Sequence, residues 1–181
     1  LGFFIFNFGS GFAIGTGIIV ARRIGEGNRK LANYTATQAV ISMLVFSTLL
    51  SVALYFCLGW VLKAMNLEPE VARLAQVYLT ALLFGVPGNF ITFQINSIVR
   101  SSGNAIFPMI ILLLTTVLNA ILAPILIFGL GPIPALGMQG AGLATAASQL
   151  IGGAISVSLL ISGKTGIRFM MDKMKLDLPL I

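Results

Sequence analysis

Histidine is absent from the 181-residue chain, and cysteine occurs once, at Cys57. Without them the chain can assemble no histidine-based triad, no disulfide framework and no cysteine or histidine zinc cluster. Charge is scarce too. Only 9% of residues are charged, against about 25% in an ordinary soluble domain, so a water-soluble surface cannot be built from this supply. Phosphate-loop and dinucleotide fingerprints are missing, because Gly15, Gly17, Gly25 and Gly27 lack a strand-turn-helix context. The chain is therefore not expected to be an enzyme, and no metal or cofactor is expected.

Apolar sequence is what the chain has in quantity: 57% of residues are hydrophobic, and the net charge is +6. A nucleic-acid binder would gather Lys and Arg on one face of an otherwise polar domain. Here they sit in short gaps between apolar runs, as membrane-flanking loops do. The expected partner is the lipid bilayer, and nucleic acid is not.

A helix needs about 20 mostly apolar residues to cross the hydrocarbon core. Five stretches qualify: about 1–21, 35–61, 75–99, 107–128 and 140–162. The fold class is thus all-α, a polytopic transmembrane helix bundle of about five spans. Five consecutive helices without a polar face leave no surface for water, which excludes a soluble bundle. Residues 1–162 form the transmembrane region, and 163–181 a basic cytoplasmic linker. In that linker Ile167, Met170, Met171 and Met174 recur at helical spacing, which suits either a short interfacial helix or the stub of a longer connection. The first run is too long for a signal-peptide core and lacks a basic leader. The chain opens on an apolar run already under way and is expected to be a fragment.

Cytoplasmic loops carry the excess of Lys and Arg. The first connection holds Arg22, Arg23, Arg29 and Lys30, the third Arg100, and the tail Lys164, Arg168, Lys173 and Lys175. The alternate connections hold Lys63 and Arg73 against Glu68 and Glu70. The expectation is a multi-pass protein of the plasma (inner) membrane, with its amino end outside and its carboxyl end cytoplasmic. Anionic-lipid binding is an alternative role for the Arg22 to Lys30 cluster.

Small residues let helices approach closely in lipid. Gly140, Ala144, Ser148, Gly152 and Ser156 repeat every fourth residue down the fifth span, and Gly11 and Gly15 offer a shorter version in the first. Pro87 and Pro124 lie inside spans, where each removes a backbone hydrogen bond and marks a kink or hinge. Polar side chains at membrane depth are candidates for a substrate or ion pathway: Asn89, Gln94 and Asn96 in the third span, Thr115 and Asn119 in the fourth, Thr145 and Gln149 in the fifth. No acid lies deep in a span. Asn119 sits roughly 13 Å inside the outer boundary and Thr145 about 8 Å below the start of its span, so the two can meet in the outer half of the membrane.

Several segments resemble one family. GFAIGTGIIVARRIGEG from Gly11 to Gly27 is similar to the second helix and basic loop of multidrug and toxic compound extrusion transporters. RSSGNAIFP from Arg100, NAILAPILIFG from Asn119 and GMQGAGLATAASQ from Gly137 follow in the family's order. The resemblance implies helices two to six of a twelve-helix transporter, hence a partial amino-terminal lobe, with the first helix and the carboxyl-terminal lobe lying outside this chain. It implies alternating-access antiport of cationic or amphipathic drug-like small molecules, driven by sodium or protons. It also matches Asn119 and Thr145 to the family's polar network, with Ala123 where the family often has an aspartate. Two alternatives stay open: a lipid-linked oligosaccharide flippase of the same superfamily, and a membrane scaffold without transport.

Overall fold

The computed structural model describes residues 2–129, 134–163 and 165–169, and for residues 2–8 the backbone alone. Five helices follow one another: α1 (Gly2–Gly25), α2 (Arg29–Ala64), α3 (Pro69–Ser101), α4 (Ile106–Phe128) and α5 (Gly137–Ser162). Among the described residues there is no strand, and α2, α3, α4 and α5 are each long and apolar enough to cross a membrane. Pro87 and Pro124 both lie inside continuous helices.

The helices outrun their apolar stretches because capping, not hydropathy, sets their ends. At the first turn Gly27 takes φ 74°, and the Asn28 side chain accepts the Leu31 N–H at 3.1 Å. The third turn repeats the device. Gly103 takes φ 91°, and Asn104 Oδ1 accepts from the N–H groups of Ile106 at 3.2 Å and Phe107 at 3.4 Å. In each case the glycine supplies a backbone shape that other residues resist, and the asparagine satisfies amides a helix start leaves open. α3 instead begins with Pro69 in its first turn, where the missing N–H costs nothing.

α3 is the centre of the bundle, touching α1, α2 and α5, while α4 lies at the edge against α5. α3 and α5 run parallel in close contact. A Cβ at Gly88 would meet the backbone of Gln149 and Leu150 at 2.6 to 2.8 Å, one at Gly85 would meet Ala146 Cα at 2.6 Å, and one at Gly142 would meet the Tyr78 carbonyl at 2.7 Å. α5 meets α4 through Gly140, which abuts the Leu126 carbonyl, and Gly152, which abuts the Thr115 methyl. The expected small-residue face of α5 thus packs on α4. Gly142 and Gly153, with Gly85 and Gly88, form a second seam that the every-fourth spacing does not reveal.

The shorter stripe behaves otherwise. Among the described residues a Cβ at Gly11 or Gly15 would meet nothing within 4 Å, so neither brings one of these helices close. The reason is exposure: Gly11, Ile14, Gly15 and Ile18 are all exposed, and at Gly15 the neighbouring α2 stands off across a cavity.

The segment after α5 also departs from expectation. Ile167 was grouped with the methionines of an interfacial helix, yet it is 1% exposed and packs with Val20, Ala36, Ile98 and Leu160. Gly163 ends α5 in the left-handed region, turning the chain back. There Ser102 Oγ donates to the Thr165 carbonyl at 3.2 Å, and the Arg168 N–H donates to Asn33 Oδ1 at 3.1 Å. Burial of Ile167 outweighs its place in an amphipathic pattern. Met170, Met171 and Met174 lie outside the described residues.

Candidate substrate or ion pathway between α4 and α5

Asn119 projects from α4 toward α5, where its amide donates to Thr145 Oγ1 at 3.2 Å and reaches Ser148 Oγ at 3.4 Å. Both hydroxyls send their own protons into the backbone of α5: Thr145 Oγ1 donates to the Ala141 carbonyl at 3.1 Å, and Ser148 Oγ to Ala144 at 2.9 Å. Their remaining lone pairs can only accept, so they fix the amide nitrogen of Asn119 against α5. Among the described residues the Asn119 carbonyl oxygen has no hydrogen-bond partner, and the residue is half-buried. The node therefore presents an acceptor without a formal charge. Ala123, one helical turn on, adds no carboxylate.

Thr115 lies one turn away on the same helix but plays a different part. Its hydroxyl bonds back to the Ile111 and Leu112 carbonyls at 3.0 and 2.9 Å, and its methyl covers Gly152. Gln149 lies along the α3–α5 seam with Oε1 over Gly85. Gln94 is not part of the node. It is fully buried, and among the described residues both polar atoms of its amide lack a partner. Asn89 is separate as well, in a small crevice with Gly9, Ser10, Met43 and Phe93. Of the seven candidates, the structure joins Asn119 and Thr145 directly, sets Thr115 beside them, and leaves Gln149, Gln94, Asn89 and the half-buried Asn96 elsewhere.

Sequence reasoning placed Ser148 with the packing residues, yet it also completes the node. It missed two hydrogen bonds that tie α3 to its neighbours, Ser97 Oγ to the Ala13 carbonyl at 2.8 Å and Ser51 Oγ to the Leu83 carbonyl at 2.6 Å. Serine inside an apolar span was the available signal. The acids among the described residues, Glu26, Glu68 and Glu70, are all exposed at helix ends. Hydrogen bonds from Arg22, with smaller help from Arg23, lower the Glu26 carboxyl below its ordinary value.

Comparison with known proteins agrees with this architecture. The MatE family model matches residues 1–125. A probable multidrug resistance protein NorM of Oceanobacillus iheyensis is 37% identical over 142 residues, which cover 78% of this chain and 32% of that protein. The matched region thus spans about a third of that relative's length. A multidrug resistance MATE family transporter of the MOP superfamily, solved in an inward-facing conformation, superposes with TM-score 0.86 at 25% identity, over 97% of this chain and 39% of that one. An outward-facing conformation of such a transporter superposes with TM-score 0.87 at 25% identity, over 97% and 38%. With its family model matched over most of its length and its helices arranged as in these transporters, the chain belongs to the MatE family.

Proposed function

We propose that these five helices are the greater part of one lobe of a secondary active exporter. It moves cationic or amphipathic drug-like molecules by alternating access, driven by a sodium or proton gradient. The observation that carries this reading is the near-equal fit of the same helices to an inward-facing and an outward-facing transporter. A unit that fits both states equally well moves as a body, which is what rocking of one lobe against another requires. The glycine seam supplies the stiffness, since backbones in van der Waals contact cannot slide without clashing.

The Asn119 node is the polar feature of this lobe most suited to contact cargo or the coupling ion. It offers a neutral acceptor at membrane depth, where a desolvated cation needs one. The charge that senses the gradient is supplied by carboxylates outside these spans. Orientation follows from charge: the connections holding Arg22, Arg23, Arg29, Lys30 and Arg100 gather at one end of the bundle, which is the cytoplasmic one.

The test is dye efflux from cells expressing the full-length transporter. The account expects lower dye accumulation that returns to control levels when the ion gradient is collapsed. Accumulation unchanged by expression, with the protein correctly inserted, would overturn it.

A further inference from the structure

α1 and α2 run antiparallel away from the turn at Gly27 and Asn28, and they do not close completely on one another. Between them lies a cavity of about 190 Å³ walled by Phe12, Gly15, Thr16, Tyr34, Thr35 and Gln38. Gln38 and Thr16 are buried there, 3% and 7% exposed. The position is roughly 9 to 14 Å along the helices from their charged ends. It is a separate place from the Asn119 node, which sits on two other helices.

The chemistry of the walls is selective. Thr16 Oγ1 donates its proton to the Phe12 carbonyl at 3.0 Å, and Thr35 Oγ1 donates to the Leu31 carbonyl at 2.9 Å. Each of these two hydroxyls therefore offers the cavity only lone pairs. Phe12 and Tyr34 add aromatic rings, whose faces attract a cation. Among the described residues no charged side chain lines the space. Arg22 at the nearby turn is 78% exposed in its side chain, where salt screens its field over about 8 Å. A cavity of about 150 Å³ holds a benzene ring, so this one takes a ring with a short arm.

We propose that this cavity is a second binding site, for an aromatic ring carrying a protonated amine. The ring lies against Phe12 and Tyr34, and the ammonium donates to Thr16 and Thr35. The site deepens the export reading, on which its place in a transport cycle rests: it lies in the half of the lobe facing the basic connections, the side from which exported cargo loads. Gly15 keeps the space open, since a side chain there would enter it without touching another helix.

That geometry supplies a clean test in the full-length transporter, reconstituted in nanodiscs, with phenethylammonium as the probe and saturation-transfer NMR as the readout. Gly15→Leu fills the cavity, and it should weaken probe binding by at least roughly tenfold, the equivalent of about 1.4 kcal/mol. Gly11→Leu is the control: it also meets open space but does not line the cavity, and it should leave binding unchanged. If the Gly15 variant fails to fold, Thr16→Val with Thr35→Val keeps the volume and removes the acceptors. That pair should erase the preference for phenethylammonium over neutral 2-phenylethanol. Equal binding by the two glycine variants, or an ammonium preference that survives loss of both threonine oxygens, would overturn the site. Efflux is read on the same proteins. Export without binding sensitive to Gly15→Leu would overturn this site and keep the export reading, whereas such binding without any export would do the reverse.

Discussion

The α3–α5 seam and the α1–α2 pair are made of the same materials, glycine and small polar residues in apolar helices, yet one is closed and the other open. At Gly85, Gly88, Gly142 and Gly153 a neighbouring backbone occupies the place of the missing side chain. At Gly11 and Gly15 nothing does. The difference teaches that a glycine stripe records permission for close approach, while the partner's position decides whether the approach occurs. In the seam, permission is used for rigidity. Beside Gly15 it leaves a cavity.

The largest effect should come from closing off that permission in the seam. Gly88→Val forces a branched side chain into the backbone of Gln149 and Leu150 and should cost about 3 kcal/mol or more in unfolding assays, whereas a loss under about 1 kcal/mol would mean that the helices separate easily. Gln94 comes next, with the opposite sign. A buried amide without partners is costly to keep, so Gln94→Met should raise stability by about 1 kcal/mol. Destabilisation would show that the amide is satisfied by something inside the lobe. Gly11→Ala should stabilise α1 by about 0.5 to 1 kcal/mol through helix propensity alone. A marked loss of stability in the full-length protein would mean that another helix is seated there. The smallest effect belongs to Glu26→Gln. The pairs with Arg22 and Arg23 are solvent-exposed, and exposed pairs contribute little, so its unfolding midpoint at neutral pH should match that of the parent.

The contrast also marks where sequence is informative. Hydropathy located the apolar helices because desolvating charge is expensive everywhere along a span. Counting the helical rise from the span ends placed Thr145 and Asn119 at compatible depths, and they do touch. Helix ends were less legible: α2 begins at Arg29, not near Thr35, because the Asn28 cap ignores hydropathy. The second seam was hidden because its glycines are spread over two helices and matter only once α3 and α5 lie parallel. The burial of Ile167 was not legible, since a single apolar residue beside methionines fits a lipid surface as well as a core. The cavity beside Gly15 needed the positions of two helices together.

The central claim, that one neutral polar node in this lobe serves transport and not packing alone, is tested most directly by a double-mutant cycle of Asn119→Leu and Thr145→Val in the full-length protein, scored for stability and efflux. The account predicts that the two residues couple, as their 3.2 Å hydrogen bond requires. It further predicts that Asn119→Leu abolishes export while normal expression is kept, with a stability change no larger than about 0.6 to 2 kcal/mol. Strict additivity in both assays, or export that falls only in proportion to lost protein, would contradict it and return Asn119 to the packing of the lobe.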